Sequence, residues 1–257
     1  MQHRIAIARF AYGSRVHASL VDWFTDAWLW LHGDPHVAGL ARFTIDLCPT
    51  DAARNLAVKQ ARQLGCQWLL MLDDDMTFDA YASAGAPKFL EVAWPFAVRH
   101  YDQGPCVIAA PYCGPAGDRT NRFTQEDVYV GEFNSPYSAE SAPEVDYNLQ
   151  PVPRVKAAEL TGIREQAYLP TGLSLWDLRA FDRIKTPWFA YEYADEACTE
   201  KVSTEDTVCT RNLALAGVPL YCAWDCWAIH WKQTPIGRPQ PLKPSDVAKT
   251  IRANLGV

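Results

Sequence analysis

The chain of 257 residues has eight cysteines but no C-x-x-C pair. Zinc ribbons depend on such pairs, and disulfide scaffolds need a higher cysteine density. The two nearest cysteines, Cys222 and Cys226, lie in an apolar stretch with Trp224 and Trp227, which predicts buried free thiols in a reducing compartment. Neither a zinc ribbon nor a disulfide scaffold is therefore expected.

Long apolar runs are also lacking. No stretch approaches the roughly 18 apolar residues that a membrane-spanning helix needs. Residues 1–9 do not contain the apolar segment of a signal peptide. From these two features we expect a soluble protein of the cytoplasm.

Basic residues are fewer than acidic ones: the chain has 24 Lys and Arg residues and 30 Asp and Glu residues, and its formal net charge is −6. Tight binding to a phosphate backbone needs a broad cationic face, so nucleic-acid binding is disfavoured, although not excluded. A chain of this length buries roughly three quarters of its unfolded surface and needs no structural metal to fold. Any metal site is therefore free for chemistry.

The first 110 residues alternate strand-like and helix-like segments, the pattern of a layered α/β domain with a mainly parallel sheet. Gly65 is expected to cap the second helix and Pro95 to interrupt the end of the third. The predicted strands are 5–10, 41–47, 67–72 and 105–110, and the predicted helices are 16–31, 51–64 and 87–99.

The order weakens between Pro111 and Val155, where Gly, Pro, Asn, Ser and acidic residues are frequent. We expect hairpins and long loops there, and with them an acceptor site, because loops often carry binding residues. A Pro-rich tail follows Lys232. Between these two regions the sequence predicts strands at 167–176, 219–223 and 227–231, a short helix at 177–183 and a longer helix at 203–216.

Three consecutive aspartates, Asp73, Asp74 and Asp75, directly follow the apolar strand 67–72. Adjacent carboxylates repel one another unless a cation or water offsets their charge, and ligands of α/β sheets bind at the carboxyl ends of strands. In an extended chain Asp73 and Asp75 project to one side, so they can grip a divalent ion, or an ion and a ribose hydroxyl. The alternative is a solvated acidic turn that caps the next helix.

His230 and the pair Glu205 and Asp206 each allow two interpretations. A histidine among tryptophans is more often a hydrogen-bonded core residue than a metal ligand, but an imidazole added to two carboxylates would suit Mn²⁺ better than Mg²⁺. Glu205 and Asp206 open a predicted helix, where Ser203 or Thr204 would cap it and the carboxylates would complement its dipole. Alternatively, one carboxylate is a general base for an acceptor hydroxyl.

Arg54 lies early in the second predicted helix, where its guanidinium could reach a nucleotide phosphate or a base edge, or form an ordinary surface salt bridge. Thr171 and Gly172 lie in a predicted strand. They mark either a close backbone approach to a substrate or a strand irregularity.

Taken in this order, the segments resemble GT-A-fold glycosyltransferases, similar to the family 2 type that uses nucleotide-diphosphate sugars. The resemblance implies an α/β, Rossmann-like three-layer fold with a mainly parallel central sheet and an irregular acceptor-side insertion. It also implies a single domain with a nucleotide-sugar half at about 1–110, an acceptor half at about 111–232 and a tail at 233–257. The segments that carry it are 5–10, 51–57, 73–75, 171–176, 203–206 and 229–230.

The resemblance also implies roles for individual residues. Asp75 and His230 would bind Mn²⁺ or Mg²⁺, and Asp73 would bind the ribose or help to hold the ion. Asp206, or as the alternative Glu205, would remove the acceptor proton. The donor-binding residues would be Arg54, Phe10, Thr171, Gly172, Lys232 and Arg238, although residues 8–10 depart from the family's usual sequence.

The function expected from this resemblance is metal-dependent transfer of a sugar from a nucleotide-diphosphate donor, by family habit a UDP-sugar, to an acceptor hydroxyl with inversion. The acceptor would be a glycan, a small molecule, or a hydroxylated DNA base held by a local basic patch. Two other classes stay open: a metal-dependent phosphohydrolase or nucleotidyltransferase, and an inactive glycan-binding module. The residues of the basic patch would be Arg119, Arg122, Arg154, Lys156 and Arg164.

Overall fold

The computed structural model describes residues 1–11, 18–47, 49–114, 127–133, 149–199, 201–231 and 235–236. Five helices lie among them: α1 (Ala18–Gly33), α2 (Thr50–Gln63), α3 (Phe89–His100), α4 (Arg154–Glu159) and α5 (Glu205–Leu215). The strands are β1 (His3–Phe10), β2 (Val37–Ile45), β3 (Trp68–Asp73), β4 (Met76–Thr77), β5 (Val107–Ala109), β6 (Cys113–Gly114), β7 (Asp127–Val128), β8 (Gly131–Phe133), β9 (Leu149–Pro151), β10 (Ile163–Glu165), β11 (Leu173–Asp177), β12 (Glu192–Tyr193), β13 (Lys201–Ser203), β14 (Leu220–Ala223), β15 (Ile229–Trp231) and β16 (Pro235–Ile236).

Seven strands form the central sheet, in the order β10-β14-β5-β11-β3-β1-β2. Strand β1 pairs in parallel with β2 and β3, and β14 pairs in parallel with β5. Strand β11 runs antiparallel between β3 and β5, and β10 runs antiparallel to β14. The predicted α/β class with a mainly parallel central sheet is confirmed, and the architecture is consistent with a Rossmann-like GT-A fold.

The inner strands of the sheet contribute to two hydrophobic cores, because successive side chains point to opposite faces of a sheet. Ile5 and Ile7 of β1 belong to the core that α1 and α3 cover, whereas Ala6 and Ala8 belong to the core that α2 and α5 cover. Helices on both faces explain why these strands are nearly continuous apolar runs in the sequence. The result is a three-layer domain whose β1 and β3 end side by side, with Phe10 opposite Asp73.

A smaller sheet, in the order β16-β15-β4, lies directly after the three aspartates. Within it His230 pairs with Met76, and the N–H of Trp231 donates to the carbonyl of Asp75 at 2.7 Å. This pairing brings His230 to the aspartate turn although 155 positions separate it from Asp75. The backbone therefore fixes the late histidine against the acidic strand end.

Two local predictions are wrong. Pro95 does not interrupt α3, which runs to His100, one residue past the predicted end, and Ala93, Trp94 and Ala97 pack into the core beneath the helix. The strand expected at 167–176 begins only at Leu173. The segment before it crosses toward α5 instead, where the N–H of Leu169 donates to the Thr210 hydroxyl at 3.2 Å.

The predictions for Gly65 and for the two nearest cysteines are confirmed. Gly65 follows α2 with a φ of +66°, the left-handed conformation expected of a helix cap. Cys222 and Cys226 are buried free thiols. No described helix combines the length and apolar character needed to cross a bilayer.

Gly131 lies where the irregular region contacts the main body, and its lack of a side chain is required there. A Cβ at this position would lie 1.5 Å from Cε1 of Tyr168. We expect Gly131→Ala to lower the free energy of unfolding by about 1–3 kcal/mol, the usual cost of overpacking, in urea denaturation.

Gly33→Ala is the matched control, since a Cβ there meets nothing within 4 Å. It should change the free energy of unfolding by less than about 0.5 kcal/mol. Equal effects of the two substitutions would contradict the packing at Gly131.

Candidate active site

A cleft of about 480 Å³ opens at the ends of β1 and β3 and the start of α5. Such a position, at the carboxyl ends of parallel strands, is where α/β proteins bind ligands. The sequence-predicted residues that line the cleft are Phe10, Arg54, Asp73, Asp75, Glu205, Asp206 and His230. The structure therefore brings together residues from five of the six motif segments, with the first strand among them.

Arg54 lies at the centre of this group and is only 3% exposed. Its Nη2 donates to both carboxylate oxygens of Asp73, at 3.1 Å each, and its Nε donates to Oε1 of Glu205 at 3.2 Å. The guanidinium carbon lies 4.9 Å from the centre of the Phe10 ring. Arg54 thus holds two carboxylates from different elements, and the surface salt bridge considered from the sequence is in fact a buried network.

The charges of this network shift the pKa values of Arg54 and Glu205. Burial alone would lower the pKa of the Arg54 guanidinium, but the adjacent carboxylates of Asp73 and Glu205 outweigh burial and raise it. Burial and then the neighbouring Asp206 carboxylate raise the pKa of Glu205, and Arg54 partly opposes them. Arg54 therefore stays positively charged and offsets the negative charge that surrounds it.

Asp75 and His230 form the second contact of the cleft. Nε2 of His230 lies 3.1 Å from Oδ2 of Asp75, and Nδ1 lies 3.2 Å from the carbonyl oxygen of Cys113. A carbonyl oxygen can only accept a hydrogen bond, so Nδ1 carries a proton in this contact. In the neutral imidazole Nε2 then presents a lone pair to a carboxylate, a contact that requires a proton or a cation between the two atoms.

Glu205 and Asp206 follow Thr204 at the start of α5, and their side chains differ in role. Glu205 is 7% exposed and bound to Arg54. The hydrogen bonds of Asp206 to described residues, from the Thr204 hydroxyl and from the N–H of Thr207 at 2.8 Å, both fall on Oδ1. Thr204 is the N-cap residue of α5 and both carboxylates lie in the first turn, but the Thr204 hydroxyl is directed to Asp206 and makes no cap hydrogen bond with the backbone.

Thr171 and Gly172 lie behind the cleft rather than along its lining. The carbonyl of Gly172 accepts from the N–H of Asp73 at 2.9 Å, which ties the two strand ends together. A Cβ on Gly172 would lie 2.9 Å from Cε1 of Tyr112. Gly172 therefore leaves room for a tyrosine ring, and Thr171 is fully buried.

Some contacts expected from the sequence are not seen among the described residues. Asp73 is engaged by Arg54, so Asp75 and His230 meet without it. No group of three or more His, Cys, Asp and Glu side chains in the described ranges is arranged to hold a metal ion by itself. Lys232 and Arg238 lie outside the described residues.

Sequence reasoning missed Tyr112, and the Cys113 carbonyl that orients His230. Tyr129 also lines the cleft. The sequence did contain a signal for Tyr112 and Cys113, because both follow strand β5 just as the aspartates follow β3. Their assignment to an irregular loop region obscured it.

Searches for relatives by sequence find nothing: no family model matches the chain, and no curated protein does. Solved structures do show similarity in backbone. The structure titled A197 from STIV is 13% identical with a TM-score of 0.49, and the match covers 89% of this chain and 86% of that one.

Two further solved structures represent different transferases. GalNAc-T7 with UDP, GalNAc and Mn²⁺ is 10% identical with a TM-score of 0.44; the match covers 95% of this chain but only 46% of that one. A putative glucose-1-phosphate thymidylyltransferase from Bacillus anthracis is 12% identical with a TM-score of 0.38, covering 88% and 89%. At these identities and scores the neighbours carry no argument about activity, which must come from the site.

Removing the Arg54 charge tests the central network. We expect Arg54→Met to lower the free energy of unfolding by about 3–5 kcal/mol at pH 7, since it leaves buried carboxylates without their partner. The loss should shrink toward acidic pH, measured by urea unfolding between pH 4.5 and 7.5.

The direction of this pH dependence follows from Glu205, whose pKa lies above its ordinary value of 4.5 and rises further without Arg54. The folded variant then holds a proton that the unfolded chain has lost, so its stability falls as the pH rises through this window. Arg62→Met is the control, because Arg62 pairs with the exposed Asp182. This substitution should lower the free energy of unfolding by about 1 kcal/mol or less. A loss for Arg54→Met no larger than that of Arg62→Met would contradict the assigned network.

Proposed function

We propose that this chain is a metal-dependent glycosyltransferase that moves a sugar from a nucleotide-diphosphate donor, a UDP-sugar as the first candidate, to an acceptor hydroxyl. The observation that carries the proposal is the contact between Nε2 of His230 and Oδ2 of Asp75. It lies at a strand end, in a cleft that also holds a second acidic group at the start of α5.

The donor set suits a divalent cation such as Mn²⁺ or Mg²⁺. Two adjacent ligands of an octahedral ion, each about 2.1 Å away, are about 3 Å apart, and these two atoms are separated by 3.1 Å. Metal-bound histidines commonly donate their second ring N–H to a backbone carbonyl, as His230 does to Cys113. Two protein ligands suffice, because Mg²⁺-type ions in nucleotide sites take further ligands from substrate phosphates and water.

When bound, such an ion would offset the charge that develops on the leaving diphosphate. The chain's own residues have separate tasks in the proposal. Asp75 and His230 hold the ion. Arg54 holds Asp73 in place through two hydrogen bonds, so that one of the Asp73 oxygens can accept a further hydrogen bond from the ribose.

Asp206 is the proposed general base, and Glu205 is the alternative. Both line the cleft, but Glu205 is committed to Arg54, whereas both described hydrogen bonds of Asp206 fall on one of its oxygens. A carboxylate that removes a proton from the acceptor hydroxyl, opposite the leaving group, gives inversion at the anomeric carbon. The proposed acceptor is a glycan or a small molecule.

A hydroxylated DNA base receives no support as the acceptor. In the basic patch expected from the sequence, Lys156 is paired with Glu132, and the Arg164 guanidinium donates to the carbonyl of Thr161. Arg119 and Arg122 lie outside the described residues. Local pairing of this kind reduces the cationic potential that a phosphate backbone requires.

Metal-dependent donor binding is measured directly by thermal shift. We expect one member of a panel of UDP-, GDP- and dTDP-sugars to raise the melting temperature by about 5 °C or more at saturation, only with Mn²⁺ present. Asp75→Asn should abolish the shift while leaving the melting temperature of the free protein nearly unchanged, because it removes one anionic ligand at nearly constant volume.

Asp102→Asn, the same change on an exposed carboxylate in the turn after α3, should retain the full shift. Stabilisation that persists in a chelator would contradict the metal assignment. Mn²⁺-dependent cleavage of phosphate esters without sugar transfer would indicate a phosphohydrolase instead.

Asp206→Asn tests the general base. The variant should lose about a hundredfold or more in turnover while its affinity for the donor stays within about twofold of that of the unsubstituted protein, because the lost group acts on the acceptor. Turnover and donor affinity are measured with the nucleotide sugar found in the panel. Equal losses in both would assign Asp206 a structural role.

A further inference from the structure

Tyr112 lies at the back of the cleft in a position that its neighbours define closely. It follows β5, is 4% exposed and lines the cleft beside Tyr129. The centres of the Tyr112 and His230 rings lie 5.2 Å apart in a T-shaped arrangement. A Cβ on Gly172 would lie 3.1 Å from the Tyr112 hydroxyl oxygen, so the absence of a side chain at 172 is what lets the hydroxyl end reach this place.

The surroundings of the hydroxyl are acidic. Burial, and then the carboxylates of Asp73 and Asp206, raise the pKa of Tyr112 well above its ordinary value, and Arg54 opposes them. A tyrosine hydroxyl can donate a hydrogen bond, and this one lies close to acidic side chains of the cleft.

Tyr112 lines the cleft, and no described residue makes a hydrogen bond with its hydroxyl. A ligand in the cleft would supply the missing partner. In the proposed function Asp75 and His230 lie beside the diphosphate and Asp206 lies beside the acceptor. Tyr112 is near both, since its ring packs on His230 and the Asp206 carboxylate raises its pKa. The part of a nucleotide sugar that lies between diphosphate and acceptor is the sugar.

We infer that the Tyr112 hydroxyl binds the sugar moiety of the donor, and that the Tyr112 and Gly172 pair is a determinant of which sugar is transferred. This inference rests on the proposed function, because it requires a nucleotide sugar in the cleft. It also gives Gly172 a part in specificity through the ring that it accommodates.

The test compares two ligands in three proteins. Calorimetric titration in Mn²⁺ measures the affinity for the nucleotide sugar selected by the panel and for its nucleoside diphosphate without sugar. The proteins are the unsubstituted chain, Tyr112→Phe, and Tyr221→Phe, which removes a hydroxyl in β14, where the ring packs on Phe96 and His100.

For Tyr112→Phe we expect about a fivefold or larger loss of affinity for the nucleotide sugar, the size of one hydrogen bond, and less than about a twofold change for the nucleoside diphosphate. Tyr221→Phe should match the unsubstituted protein with both ligands. Tyr112→Phe should also discriminate less between nucleotide sugars that share one nucleotide. A site that hydrogen-bonds a sugar hydroxyl rejects sugars that lack it, and the variant has lost that hydrogen bond.

Equal losses for both ligands would show that Tyr112 only shapes the cleft, and no loss for either would show that the hydroxyl is not used; each result overturns the inference while leaving the proposed function standing. If the unsubstituted protein binds neither ligand in Mn²⁺, the proposed function and this inference fail together.

Discussion

The buried guanidinium of Arg54 is the interaction on which the rest of the site depends. It joins α2, which carries it, to the end of β3 through Asp73 and to the start of α5 through Glu205, a residue 151 positions away. Without a positive charge at this point, the two carboxylates would lose the partner that offsets their negative charge. One arginine thus fixes both the geometry and the charge of the cleft.

This network sets a division of tasks among the acidic residues. Asp73 and Glu205 are neutralised from within the protein, whereas Asp75 faces His230 and Asp206 faces the cleft at the start of α5. The two kinds of contact differ in charge. In the Arg54 pairs each carboxylate faces a positive guanidinium. In the contact between Asp75 and His230, the carboxylate faces an imidazole lone pair unless a proton or a cation lies between them. The contact between Asp75 and His230 is therefore the place in the cleft where we propose the metal site.

Part of this arrangement could be predicted from the sequence. The apolar strand that ends in three aspartates and the acidic start of the later helix both follow from rules of sheet edges and helix ends, and both lie in the cleft. The partners of these residues could not be predicted in this way. That Arg54 would be buried between Asp73 and Glu205, or that Cys113 would orient His230, depends on strand order and register across segments far apart in the chain. Pro95 shows the same limit, since core packing outweighed a local helix-breaking signal.

The most direct test of the account is the position of the metal. Crystals grown with Mn²⁺ and UDP, measured near the manganese absorption edge, would give an anomalous difference map. We expect one strong peak within coordination distance of Oδ2 of Asp75 and Nε2 of His230, adjoining the diphosphate of a nucleotide in the cleft. A peak held by other residues, or a nucleotide bound in the cleft with no manganese between these two side chains, would contradict the assignment.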